Sequence, residues 1–108
     1  MNTKVETLSK LVSGSKSSSQ DTVALCYGHF NVIHPGHLRY FRKAKDSADK
    51  LLIALEGDEQ LSELERGIIF SESDRAQAVA ALDIVDGVVV MDSGRLEDLV
   101  KIISPSFL

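Results

Sequence analysis

Residues 22–58 read TVALCYGHFNVIHPGHLRYFRKAKDSADKLLIALEGD. Val23-Ala24-Leu25-Cys26-Tyr27 is an unbroken apolar run that stops at Gly28, the pattern of a strand covered on both faces. Leu38, Phe41, Ala44 and Ala48 recur at helical spacing within residues 36–48. Lys50-Leu51-Leu52-Ile53-Ala54-Leu55-Glu56 is a second run of the buried-strand kind. Strand, helix and strand in that order predict a parallel pair joined by a right-handed crossover.

The alternation continues downstream. A helix is predicted over residues 71–82, with Ser71 or Ser73 as its cap and Ala76, Val79, Ala80 and Leu82 facing inward. Val85 to Met91, VDGVVVM, is a third strand, and Arg95 to Ile103 a third helix with Leu96, Leu99, Val100 and Ile103 apolar. Pro105 ends that helix, and Ser106-Phe107-Leu108 reads as the opening of a fourth strand. Upstream, residues 3–12, TKVETLSKLV, predict a short amphipathic helix: Thr3 and Glu6 have capping-box spacing, and Val5, Leu8 and Leu11/Val12 share a face. Residues 13–20, SGSKSSSQ, form a Ser/Gly-rich linker. The expectation is an N-terminal helix and linker over 1–20, then an α/β domain over 21–108 with a Rossmann-like parallel sheet.

Composition narrows the function. The chain has 108 residues, 44% of them hydrophobic and 26% charged, which suits one globular domain. A net charge of −4 argues against a broad basic face for nucleic acid. Arg39, Arg42, Lys43 and Lys45 read as a solvated helix face. No apolar run reaches the roughly 18–20 residues of a membrane span, and no signal-peptide core is present, so no membrane role and a cytoplasmic location are expected. The single Cys26 cannot form an internal disulfide and reads as a buried thiol.

All three histidines, His29, His34 and His37, lie in the turn between the first strand and its helix. Ligands of open α/β sheets bind beyond the carboxyl ends of the strands. Pro35 suits a first helical position, and the free N–H groups of that helix start favour an anion such as a phosphate. His34 and His37 are three apart, so both imidazoles belong at that end, and Gly36 removes a side chain where a phosphate would approach. The pair lacks further protein ligands for zinc, so no protein-held metal is expected. His29 reads equally as a solvated side chain, Asp58 as a turn residue, and Arg75 as a partner of Glu72 or Asp74.

The segment GHFNVIHPGHLRYFRKAKDSADKLLIALEGD resembles the HxGH signature block of the cytidylyltransferase-like nucleotidyltransferases. Gly28, Phe30, His34, Gly36, His37, Ala44-Lys45 and Asp58 match it. Downstream, FSESDRAQAVAALDIVDGVVV matches a further family segment through Arg75 and Asp86. The resemblance covers residues 22–108 and is nearest to the glycerol-3-phosphate cytidylyltransferase and ADP-heptose synthase branch. It implies transfer of CMP or AMP from CTP or ATP, with Mg²⁺, to a phosphorylated sugar or polyol, releasing pyrophosphate. It further implies His34 and His37 as catalytic residues. Gly28, His29, Phe30, Asn31, Gly36 and Lys45 would bind nucleotide, and Asp58, Arg66 and Arg75 the acceptor. Three departures point to a second class, a catalytically inactive nucleotide-binding or oligomerisation module. Asn31 stands where the family has Asp. The loop DEQLSELER, residues 58–66, carries no lysine. The family's C-terminal I-S-T-T-like motif falls after residue 108, leaving the fold incomplete at that end, with an open first-strand edge that favours a homo-oligomer.

Overall fold

A computed structural model describes residues 4–8, 22–62, 64, 67–93 and 95–103. In chain order these form β1 (Val5–Thr7), β2 (Val23–Gly28), α1 (Pro35–Asp46), β3 (Lys50–Glu56), a 3₁₀ turn (Asp58–Gln60), α2 (Glu72–Ala80), β4 (Gly87–Met91) and α3 (Leu96–Ile103). The four strands make one all-parallel sheet in the order β1-β4-β3-β2. The expected Rossmann-like α/β sheet is therefore present. Among the described residues no helix is long and apolar enough to cross a membrane.

The strands are apolar on both faces because each face is covered. Ala24 and Cys26 of β2, Leu51, Ile53 and Leu55 of β3, and Val88 and Val90 of β4 pack with Phe41 of α1 and Ala76, Val79 and Ala80 of α2. The alternate residues Leu25, Ala54, Val89 and Met91 pack instead with Leu8 and Leu99. Phe41 of α1 and Ala76, Val79 and Ala80 of α2 share one cluster, so α1 and α2 cover the same face, as two like-handed crossovers running in one direction require.

The N-terminal expectation needs correction. Residues 5–7 form a strand, not a helix: Val5, Glu6 and Thr7 pair with Val88, Val89 and Val90. The Val88 amide donates to the Lys4 carbonyl at 2.9 Å, and Lys4 Nζ donates to the Leu82 carbonyl. Val and Thr fit a half-buried sheet edge, and an available partner strand outweighs a local capping pattern in so short a segment. The predicted linker and the predicted fourth strand at 106–108 lie outside the described residues.

Candidate active site

The C-terminal ends of β2 and β3 carry the site. After Gly28 the chain turns sharply at Phe30, which has a positive φ of 50°, rare for an aromatic residue. The strained backbone swings the Phe30 ring inward over Gly28, where a Cβ would lie 3.0 Å from the ring. Phe30 is buried and makes edge contacts with His37 (5.4 Å) and Phe41 (5.1 Å) between ring centroids. It thereby fixes one flank of the His37 ring.

The two imidazoles are locked by the start of α1. His34 is its N-cap, and Pro35 follows at the first helical position. His34 Nδ1 accepts the Gly36 N–H at 3.0 Å, and His37 Nδ1 accepts the His34 N–H at 3.2 Å. This is a reciprocal capping box built from two histidines in place of the usual Ser/Thr and Glu/Gln. Accepting at Nδ1 requires a lone pair there, so each neutral ring carries its proton on Nε2. The ring centroids are 3.9 Å apart, giving two Nε2–H donors side by side. Burial lowers the pKa of His37, the His34 charge adds to that, and the Val32 backbone opposes it.

The helix dipole adds to the same end. The first turn of α1 has no acidic residue, whereas α2 opens with Glu72 and Asp74 and α3 with Glu97 and Asp98. The positive ends of α2 and α3 are thus offset by their own carboxylates, and that of α1 is left for an external anion.

Other residues expected at the site are held differently. Arg75 is wholly buried, its side chain 0% exposed. Nη1 donates to the His29 carbonyl at 3.0 Å and the Glu56 carbonyl at 2.6 Å, Nε to the Phe70 carbonyl at 2.8 Å, and Nη2 to Asp58 Oδ1 at 2.9 Å. It joins the ends of β2 and β3 to the 70–71 loop, and its guanidinium is directed at protein groups throughout. Asp58 also accepts the Glu72 N–H, while the Asp58 N–H donates to Glu72 Oε1, so this carboxylate takes the first N–H of α2, whose N-cap is the expected Ser71. Asn31 Oδ1 accepts the Phe70 N–H at 2.7 Å and ties the same loop to the turn. Gly57 has no Cβ because one would fall against the Met91 carbonyl oxygen.

Lys45 is not brought to the imidazoles. It lies eight residues beyond His37, about 12 Å along the helix axis. There its Nζ meets Asp86 Oδ2 at 2.6 Å and the Asp49 carbonyl at 3.0 Å. Burial would raise Asp86, but the Lys45 and Leu51 N–H hydrogen bonds outweigh it and lower the pKa. Arg66 lies outside the described residues. Among the described residues no cluster of three or more His, Cys, Asp or Glu side chains can hold a metal ion.

Sequence reasoning missed one cluster. His29 Nε2 meets Glu56 Oε2 at 3.0 Å, with side chains 38% and 15% exposed, and Tyr27 hydrogen-bonds the same carboxylate. Burial raises the Tyr27 pKa, and the Glu56 charge and hydrogen bond add to it. His29 Nδ1 is buried without a hydrogen-bond partner among the described residues. Strand alternation carried the signal: Leu25 and Tyr27 share one face of β2, Ala54 and Glu56 the matching face of β3. Arg75 was legible in the same way, four residues before the inward-facing Val79.

Comparison with known proteins identifies the family and the fold. The bifunctional protein HldE of Campylobacter fetus subsp. fetus is 33% identical over 107 residues, which cover 97% of this chain and 23% of that protein. HldE of Geobacter sulfurreducens is 29% identical over 106 residues, covering 96% of this chain and 21% of that protein. The chain thus spans between a fifth and a quarter of the length of these relatives. Among solved structures, the lipopolysaccharide core biosynthesis protein of Thermoplasma volcanium GSS1 has the same fold, with a TM-score of 0.68 at 24% identity over 79% of this chain and 70% of that one. The model of the cytidylyltransferase-like family matches residues 25–108, the span from the core of β2 through both imidazoles and Arg75. That match, with the HxGH turn built as described, makes this chain a member of the cytidylyltransferase-like family.

Proposed function

We propose that the chain is a nucleotidyltransferase module that moves CMP or AMP from CTP or ATP to a phosphorylated sugar or polyol. An oxygen of the acceptor's phosphate attacks the α-phosphorus, the bond to the β-phosphate oxygen breaks, and pyrophosphate leaves. The observation that carries this reading is the histidine capping box. It holds two imidazole rings 3.9 Å apart at the one helix start, among the described residues, whose first turn has no acidic residue. His34 and His37 donate to the phosphate oxygens on which charge builds, and the α1 amides and dipole share the load. Being pre-set by backbone hydrogen bonds, the rings need no reorganisation at the moment of reaction.

The remaining residues position this pair. Phe30 braces His37, Gly28 makes room for Phe30, and Gly36 makes room for His34. Arg75 and Asp58 act as positioning residues that hold the strand ends and the α2 cap together, while Lys45 braces the far end of α1. Mg²⁺, brought with the nucleotide, would neutralise part of the triphosphate charge. The buried Cys26 thiol suits a reducing cytoplasm, and the backbone edge of β2, which carries no strand among the described residues, suits self-association.

Asn31 favours a second reading. Its amide oxygen is engaged by the Phe70 N–H, a structural tie, and it brings no charge to the site. A nucleotide-binding module without transfer activity matches that observation. Calorimetric titration with Mg–CTP and Mg–ATP tests binding, and pyrophosphate release with a sugar phosphate tests transfer. Binding with release supports the enzyme, and binding alone the module. Failure of both nucleotides to bind removes both readings.

A further inference from the structure

β2 and β3 stop pairing at Gly28 and Leu55, yet side chains carry the connection one residue further. His29 and Glu56 are the next pair in that register, on the sheet face that Leu25 and Ala54 share. There His29 Nε2 meets Glu56 Oε2 at 3.0 Å. Tyr27, two residues before His29 on that face, hydrogen-bonds the same carboxylate. The main chains are tied as well. Arg75 Nη1 donates to the His29 carbonyl at 3.0 Å and to the Glu56 carbonyl at 2.6 Å. His29 is thus fixed at both its side chain and its backbone.

The next residue explains the use of two anchors. Phe30 has a φ of 50°, a conformation that persists in an aromatic residue only where its surroundings over-determine it. Downstream the turn is held by Asn31, whose Oδ1 accepts the Phe70 N–H at 2.7 Å. Upstream the anchor is His29. Between the two, the Phe30 ring lies over Gly28 and edge-on to His37, with ring centroids 5.4 Å apart. A continuous path therefore runs from Glu56 to His29 by hydrogen bond, on to Phe30 through the chain, and on to His37 by ring contact. The His29 ring is held on one side only. Its Nδ1 is buried with no hydrogen-bond partner among the described residues. An unpaired buried nitrogen costs stability, and the ring keeps its place beside Glu56 despite that cost.

We propose that His29, held by Glu56 and Tyr27, is a positioning residue for nucleotidyl transfer: it pins the strained turn that sets Phe30 against His37. The assignment rests on the transfer reading above and adds a residue to it. In this role His29 acts through Phe30 rather than by contact with the nucleotide. A displaced Phe30 leaves one flank of the His37 ring unsupported. A donor that must be re-oriented at each turnover stabilises the developing phosphoryl charge less.

Two readouts on the whole chain test this. The first is the nuclear Overhauser contact between the Phe30 and His37 rings. Present in wild type, it should fade in His29→Ala and in Glu56→Ala. It should return in His29→Gln, whose amide can donate to Glu56 as the imidazole Nε2–H does. The second is pyrophosphate release from Mg–ATP or Mg–CTP with mannose 1-phosphate or glycerol 3-phosphate. Both alanine variants should lose about tenfold in kcat with the nucleotide KM kept within about twofold, and the double variant should be no slower than either. His29→Gln should recover most of the lost kcat. A ring contact that persists in both alanine variants overturns the proposal, whatever the kinetics give. So does a lost contact with unchanged kcat, or a His29→Gln as slow as His29→Ala. Should His29→Ala fail to fold, Glu56→Ala breaks the same contact with the turn's own sequence intact and carries both readouts. If wild type releases no pyrophosphate from either nucleotide, the transfer reading falls, and the ring contact still decides whether His29 sets the turn.

Discussion

A methyl group at Gly36 would sit 2.7 Å from His34 Cε1, closer than a Cβ tolerates, so the His34 ring can cap α1 only above a glycine. Gly36→Ala should therefore open the capping box. About 1 kcal/mol of stability in urea denaturation and most nucleotide affinity in calorimetry should be lost together. Affinity kept at the wild-type level would mean that the cap does not present the donors. Long-range ¹H–¹⁵N spectra near pH 7.5 should find both His34 and His37 as Nε2–H tautomers; an Nδ1–H ring at either position contradicts the cap geometry. His37, lowered by burial, should titrate below the ordinary 6.5. The sign follows: a histidine kept neutral by folding contributes stability above its unfolded pKa, and that contribution is lost as pH falls toward the folded value. His37→Ala should lower turnover about 10²–10³-fold. Near-normal turnover removes the ring from the chemistry. Arg75 belongs to a different class. Arg75→Met should cost about 3–5 kcal/mol in urea denaturation, because Asp58 and the carbonyls of His29, Glu56 and Phe70 lose a buried donor. A loss below about 1 kcal/mol would refute its role as a strut.

The elements divide along their charges. α1 keeps its first turn free of acids and carries Lys43 and Lys45 in its last, which suits its dipole at both ends. Lys45 goes further and joins α1 to the Asp86 carboxylate, which also accepts the Leu51 N–H. One side chain thus binds the end of α1, the start of β3 and the approach to β4. Asp86→Ala should cost about 1–3 kcal/mol near pH 7. Because hydrogen bonds lower the Asp86 pKa, its contribution is present above the unfolded carboxylate value and is lost as pH falls through the folded one. The difference between wild type and variant should shrink toward pH 3 in guanidinium titrations, and a pH-independent gap would exclude the ionised carboxylate as its source.

On the scale of the whole molecule, the all-parallel sheet gathers the turn after β2, the turn after β3 and the start of α2 at one end. A ligand gripped there ties three chain segments together, so it stabilises the folded state by mass action. Mg–nucleotide at about 100 times its dissociation constant should add roughly 2.7 kcal/mol to the unfolding free energy. Wild type should show this as a clear rise in Tm and His37→Ala should not. Equal rises in both proteins would move the binding site away from the imidazoles. At the other end of the sheet the Lys45–Asp86 pair ties α1 to the start of β3 and the approach to β4.

By itself the sequence determined β2, β3 and β4, the three helices, the turn that carries the histidines and the glycines that turn requires. These rest on short-range physics: apolar periodicity within a segment, and capping between residues two or three apart. The tertiary structure decided the rest. Val5–Thr7 became a strand because β4 offered a partner more than 80 residues away in the chain. Arg75, Asp58 and Lys45 read as charges available to a ligand, yet each found a protein partner, some as far as 46 residues distant. A buried charge must be paired wherever the fold allows, and which groups lie within 3 Å of it is a property of packed elements rather than of local pattern.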